Sequence, residues 1–292
     1  MVRREPVPSR SLRDATPDRF LDIGTGAGGA RLRYRDEGSA APSPGGALGS
    51  PLLLIHGWTY DLDIWEPLAQ MLAARHRVLS IDRRGFGLST GQPSLAQDQA
   101  DILALLDHTR VARAVLLGAS QGARLALSLG LAAPERVAAV VLDGPPEEVG
   151  SARHALTVEI PLAEYRALAQ SGQMAEVRRR WSQHPFARLC TRDPAAHARL
   201  ATTLARYSGA DLLEPSPPVP PPLDGLRSLG MPALVINGEH DLESRRASGL
   251  ALAQALPRAR HAIIPDAGHL PHLDNPGAYL DALEQFLESM NG

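Results

Sequence analysis

Short, mostly apolar runs recur along this chain, and most pairs of them are separated by a longer stretch with the spacing of an amphipathic helix. The first block contains Leu52–Ile55, Val78–Ile81, Ala114–Leu117 and Val137–Leu142, with helical patterns near 64–75, 94–108 and 121–132 between them. Apolar runs without alternation are what strands covered on both faces require, and a strand–helix–strand rhythm builds a parallel sheet. Upstream, Arg31–Arg35 alternates as a half-buried strand does, and the Gly/Pro/Ser-rich stretch at 38–50 reads as a surface loop. The rhythm resumes at Ala233–Ile236, with a helix near 244–256, a run at His261–Ile264 and an amphipathic helix from about 275 to 289. The expected class is therefore α/β: a mostly parallel central sheet flanked by helices, formed by residues 20–144 and 225–292.

Residues 145–224 interrupt that sheet with arginine-rich helical patterns around 161–170, 173–184 and 194–206, followed by the proline run Pro215–Pro222. Such a run is a stiff, extended strap, and the insertion reads as a helical cap over one edge of the sheet. Residues 1–19 read as a disordered leader; they are arginine-rich and lack the apolar stretch of a secretory signal.

Composition removes whole classes of function. A net charge of -2 leaves no positive excess for tracking a nucleic-acid backbone. All 30 basic residues are arginine, so chemistry that needs an ε-amine is excluded: a P-loop, a Schiff base, a kinase-type ATP site. The single cysteine, Cys190, can form neither an intramolecular disulfide nor a cysteine-rich zinc site. No apolar run approaches the roughly 18 residues of a membrane helix. A soluble, cytoplasmic protein without cofactor or metal, acting on a small molecule and with no nucleic-acid or membrane partner, is the expectation. The glycine-rich segment Leu21–Gly29 is similar to the cofactor loop of S-adenosylmethionine-dependent methyltransferases, but strand-like alternation follows it, so it reads as a β-hairpin turn.

The chemistry-bearing motif is Gly118-Ala-Ser120-Gln-Gly122, set between the apolar run 114–117 and the helical run 121–132. A serine in so tight a strand-to-helix turn needs glycines where side chains would strike neighbouring backbone, and it gains the free N–H groups of a helix start. A hydroxyl is a weak nucleophile at neutral pH; it needs a base within hydrogen-bond reach and an acid to orient that base. His269, after the last strand run, is the candidate base, and Asp241, after the preceding run, the candidate acid; loops at the carboxyl ends of such strands converge. Asp143, just past 137–142, is an alternative acid. Glu239 and Asp266 read as solvated neighbours. A tetrahedral oxyanion needs two backbone donors, expected from Gln121 and from Trp58 in the loop His56-Gly57-Trp58 after a core strand. His56 reads as a brace for that loop, together with Gly57.

Taken together, these motifs resemble the α/β-hydrolase fold serine hydrolases over roughly residues 20–290. Asp82-Arg-Arg-Gly-Phe-Gly-Leu-Ser89 is similar to the D-x-R-G-x-G-x-S turn of that superfamily, where it is structural. Asp241–Arg246 and Ala267–Pro276 have counterparts in a subgroup of 3-oxoadipate enol-lactonase-like enzymes, small carboxylesterases and cofactor-free haloperoxidases. The serine motif departs from the frequent S-M-G-G ending, with Gln121 and Ala123 instead. Serine at 120 separates the chain from epoxide hydrolases and haloalkane dehalogenases, which carry aspartate there. The resemblance implies hydrolysis of a carboxylic ester or lactone. Carbon–carbon bond hydrolysis of a ring-cleavage diketone and perhydrolysis stand as alternatives, with Arg124 or Arg178–Arg180 as candidate groups for a charged substrate. A ligand-binding receptor without turnover is the alternative outside enzymes.

Overall fold

A computed structural model describes residues 16–24, 28–38, 50–145, 160–214 and 223–290. Its centre is one sheet of eight strands: β1 (Arg19–Ile23), β2 (Ala30–Glu37), β3 (Leu52–Ile55), β4 (Val78–Ile81), β5 (Ala114–Ala119), β6 (Val137–Asp143), β7 (Ala233–Gly238) and β8 (Ala259–Ile264). They lie in the order β1-β2-β4-β3-β5-β6-β7-β8. β1 and β2 pair antiparallel, as do β2 and β4, and every later pairing is parallel. The expected α/β architecture holds, with its parallel strands at the expected runs.

Two local expectations change. Arg19, within the stretch expected to be a leader, opens β1, and Asp18 before it pairs with Arg33 and Arg35 of β2. Ile23 lies opposite Ala30 in the antiparallel β1–β2 pair, which flanks the glycine-rich segment; residues 25–27 lie outside the described residues. The run His261–Ile264 lies in the edge strand β8, paired on one side only among the described residues, and only Ile264 of that strand is buried. Residues 1–15, most of the connection at 38–50 and the proline run 215–222 also lie outside the described residues.

The continuous apolar runs divide residue by residue between two cores. Leu53 and Ile55 face a cluster with Ile102 and Leu105 of α2 (Leu95–His108), Leu125 and Leu129 of α3 (Gln121–Ala132) and Leu252 of α8 (Glu243–Ala255). Leu52 and Leu54 face the other cluster, with Leu68 and Leu72 of α1 (Glu66–Ala73) and Tyr279, Leu283 and Phe286 of α10 (Pro276–Ser289). A strand with helices on both faces turns mostly apolar side chains to either side. Local signals set the helix starts: Ser94 caps α2 through the Gln97 N–H, and Asn275, which follows the single turn α9 (Pro271–Asp274), caps α10 through the Ala278 N–H, with proline at the first helical position.

Between β6 and β7 stand α4 (Leu162–Gln170), α5 (Met174–Ser182), α6 (Pro194–Arg206) and the single turn α7 (Ala210–Leu213). Tyr165, Val177, Trp181, Phe186, Leu204, Tyr207 and Leu212 from this insert form a third apolar cluster with Trp58 and Phe86. Arg206 fastens α6 to the sheet domain: its guanidinium donates to both Asp61 oxygens at 2.6 and 2.8 Å and to Asp63 at 2.6 Å. Asp61 is fully buried, so removing the cation strands a carboxylate in low dielectric. Arg206→Met is expected to destabilise the fold by about 3 kcal/mol, read as a lower urea midpoint.

Candidate active site

Ser120, Asp143, Asp241, His269 and the loop His56–Trp58 lie at the carboxyl ends of β3, β5, β6, β7 and β8, or just after them. Ser120 follows β5 directly, with φ 51 and ψ -111, a backbone conformation rare for a residue with a side chain. The turn is held by the Ser120 N–H donating to the Asp143 carbonyl at 2.7 Å and by α3 beginning at the next residue. Its sharpness explains both flanking glycines. A methyl group on Gly118 would stand 2.1 Å from the Gly122 carbonyl oxygen, and one on Gly122 would stand 2.3 Å from that of Ile55. Backbone cannot yield as a side-chain tip can, so Gly122→Ala is expected to cost about 3 kcal/mol, seen as a lower melting temperature.

The imidazole of His269 is buried and its Nδ1 lies 3.0 and 3.2 Å from the two oxygens of Asp241. An ionised carboxylate only accepts, so Nδ1 carries the hydrogen and Nε2 is left as an acceptor. Asp241 is held in turn by the Leu242 N–H at 2.8 Å. The loops carrying the two residues are tied together, the His240 N–H donating to the Ala267 carbonyl. Asp274 fixes the histidine loop to the insert: it accepts from the Gly268 N–H and from the N–H groups of Cys190 and Thr191. Phe186 packs on the imidazole with ring centroids 4.5 Å apart, and Gly144 approaches so closely that a methyl group there would meet the ring at 2.9 Å.

Asp143 is engaged elsewhere. Its Oδ2 accepts from His272 Nδ1 and from the Tyr279 hydroxyl, each at 3.2 Å, and burial raises its pKa above the usual carboxylate range. The geometry thus gives His269 to Asp241 and gives Asp143 to His272.

Gly57 brings the loop after β3 against the serine turn: a methyl group on it would meet the Ala119 carbonyl oxygen at 3.2 Å and Ser120 Cβ at 3.5 Å. The loop is braced by His56, which is fully buried. Its Nε2 accepts from the Arg83 N–H at 2.9 Å, so Nδ1 donates to the Gly57 carbonyl at 2.7 Å, and burial followed by the nearby Arg83 charge keeps the ring neutral. Gln121 opens α3, where a first-turn N–H has no carbonyl partner within its own helix, and its side chain is held by Arg83 at 2.6 Å. The Trp58 indole donates to Asp211 at 2.6 Å and packs among Tyr165, Trp181 and Tyr207. Asp82 of the glycine-rich turn accepts the N–H groups of Leu62 and Leu88, a structural use, and burial lifts its pKa to about 7.

Ser120, His269, Gly57 and Trp58 line one cavity with Tyr60, Ile64, Ala119, Ile160, Trp181, Phe186, Arg245, Leu270 and His272. It holds about 480 Å³ of non-atom space, its open mouth included. Its wall is mostly apolar. The arginines expected to serve a charged substrate are turned to other work: Arg178 donates to the Tyr207 carbonyl, Arg179 and Arg180 pair with Glu176, and Arg124 is not among the lining residues. Arg245 lines the cavity instead, its guanidinium 4.5 Å over the Phe186 ring. Sequence reasoning missed Arg245, Phe186 and Trp181. Proximity of Arg245 to Asp241 in the chain was the available signal for the first, whereas Phe186 and Trp181 depend on how the insert folds. Among the described residues, Glu239, His240 and Asp266 have metal-ligand reach, but all three are exposed and none lines the cavity.

A strained serine turn, a buried histidine–carboxylate pair and an apolar cavity at one end of a parallel sheet are the parts of a hydrolase of this architecture. The chain belongs to the Alpha/beta hydrolase family, whose model matches residues 52–282. It is 28% identical over 272 residues to the Mycobacterium tuberculosis protein named "Putative non-heme bromoperoxidase BpoC", covering 89% of this chain and 98% of that one. It is 25% identical over 260 residues to the pimeloyl-[acyl-carrier protein] methyl ester esterase of Nitrosomonas europaea, covering 81% and 95%. A thermophilic esterase from Thermogutta terrifontis shares the fold with a TM-score of 0.75 at 23% identity, covering 94% of this chain and all of that one. No helix among the described residues is long and apolar enough to cross a membrane.

Proposed function

We propose that the protein is a serine hydrolase that cleaves carboxylic ester or lactone bonds of a small molecule. The observation that carries this reading is the buried His269–Asp241 pair, whose imidazole shares one apolar cavity with Ser120. In the proposed reaction His269 Nε2 takes the Ser120 hydroxyl proton as Oγ bonds to the substrate carbonyl carbon, and the carbonyl π pair moves onto oxygen. The Trp58 and Gln121 backbone N–H groups hold that oxyanion. As the carbonyl re-forms, the bond to the leaving oxygen breaks and the alkoxide takes the proton back from His269, leaving an acyl-enzyme. A water then repeats both stages and releases the acid and Ser120. Asp241 keeps the proton on Nδ1 and stabilises the imidazolium. The insert from Ile160 to Leu213 acts as the cap that chooses the substrate, because Ile160, Trp181 and Phe186 form one wall of the cavity.

The esterase relative supports the ester-cleaving reading, and the mostly apolar wall suits an uncharged acyl chain better than a dianion. A panel of p-nitrophenyl esters and lactones assayed with the wild type and Ser120→Ala tests it. Hydrolysis of at least one substrate class, absent in the variant, is the expected result. Tight binding of such compounds without turnover would mark a receptor on the same fold.

A further inference from the structure

The peptide group that carries the Trp58 N–H is held at both of its ends. Its carbonyl, that of Gly57, accepts from His56 Nδ1 at 2.7 Å, and in a planar trans peptide the N–H points away from that bond. Past the N–H, the chain runs through Trp58 to Thr59, whose φ of 71 is a left-handed conformation that a β-branched residue adopts only where its surroundings impose it. The Trp58 side chain supplies such an anchor. Its indole N–H donates to Asp211 Oδ2 at 2.6 Å, and Asp211 Oδ1 accepts from the Tyr207 hydroxyl at 2.8 Å. Hydrogen bonds to an ionised carboxylate are stronger than those between neutral groups. Asp211 is half-buried on the single turn α7, and Tyr207 follows α6, so both belong to the insert.

The two oxyanion donors are thus fixed from different sides. Gln121 opens α3 and has its side chain held by Arg83, within the sheet domain. Trp58 is braced by His56 on the sheet side and by Asp211 on the insert side. A carboxylate near a developing oxyanion would repel it, but the buried Arg83 guanidinium lies within electrostatic range of Asp211 and opposes its charge. Arg83 also stands 4.6 Å over the Phe86 ring, which stacks on Tyr207 at an interplanar angle of 13°. Resting on the ester-cleaving reading above, we propose that Asp211 is a positioning residue for the oxyanion hole: through the indole it sets the Trp58 backbone N–H, so the hole is complete only while the insert is docked. The insert then contributes to transition-state stabilisation as well as to substrate choice. Such donors act by being fixed before the charge develops, and a shift of about 1 Å in a positioned group can cost about 10² in rate.

Two substrates test this: p-nitrophenyl butanoate and its thiono analogue, in which sulfur replaces the carbonyl oxygen, each kcat/KM divided by that compound's hydroxide-catalysed rate. Sulfur is a weak hydrogen-bond acceptor, so the oxo-to-thiono ratio reads the donors aimed at the oxyanion. Asp211→Ala is expected to lower kcat on the oxo ester by about 10 to 10² and the ratio by about tenfold, with KM changed less than about threefold. Asp211→Asn keeps an oxygen to accept the indole N–H and should restore most of both. Trp58→Phe removes the indole N–H but keeps the backbone N–H; it should match Asp211→Ala, and the double variant should lose little beyond either single one. A role in shaping the cavity alone would move KM, or lower both compounds together and leave the ratio standing. Either result overturns the proposal, as does a wild-type ratio near one, a ratio lost equally with alanine and asparagine, or losses that multiply in the double variant. Absence of any Ser120-dependent hydrolysis of either compound by the wild type would instead strike the ester-cleaving reading, and the role of Asp211 with it.

Discussion

Ser120→Ala is expected to lower kcat/KM on the best ester or lactone by about 10⁴ to 10⁶, His269→Ala by a similar factor, and the double variant by little more than either alone. The reason lies in how the two groups depend on each other. Without the imidazole the hydroxyl keeps its proton, and without the hydroxyl the imidazole has nothing to activate. On the proposed mechanism, what remains in either variant is the binding and oxyanion stabilisation offered by the Trp58 and Gln121 N–H groups, which neither substitution touches. Initial-rate kinetics on the two single variants and the double, each checked for fold by circular dichroism, read this directly. Losses that multiply would contradict the partnership.

The second large effect separates the two candidate acids. Asp241→Asn is expected to reduce kcat by about 10⁴, because an amide at that position disturbs the tautomer that His269 needs. Asp143→Ala should act on stability instead. It leaves the buried His272 Nδ1 and Tyr279 hydroxyl without their shared acceptor, at a cost of about 3 kcal/mol, while the folded fraction keeps turnover within about tenfold of wild type. Urea titration and kcat measured on the same two preparations distinguish the roles. The opposite pattern would move the acid to Asp143.

The difference between these aspartates shows what a sequence can and cannot specify. Asp143 and Asp241 both follow apolar runs of the parallel sheet, so both were open by position. The choice depends on His272, three residues beyond His269, which takes Asp143 as its partner and packs its ring 4.2 Å from Trp65. No one-dimensional spacing contains that contact. The strands were legible because helices on both faces force continuous apolar runs, as at Leu52–Ile55. The serine turn was legible because Gly118 and Gly122 are required by backbone packing within a few residues. β1 was not, since an exposed edge strand with the burial pattern of Arg19–Ile23 needs no apolar signature. The arginines failed for a similar reason. Arg178–Arg180 stand out in the sequence as a run, whereas Arg245 reaches the cavity only because α8 begins beside Asp241.

The central claim is that Ser120 is activated by His269. Brief treatment of the folded protein with a fluorophosphonate, followed by peptide mass spectrometry, tests it most directly, since such reagents phosphonylate an activated serine far faster than an ordinary hydroxyl. One adduct on Ser120, formed at least about a hundredfold more slowly in His269→Ala, is the predicted result. Unmodified Ser120 in folded protein that still hydrolyses esters, or equal labelling with and without the imidazole, would contradict it.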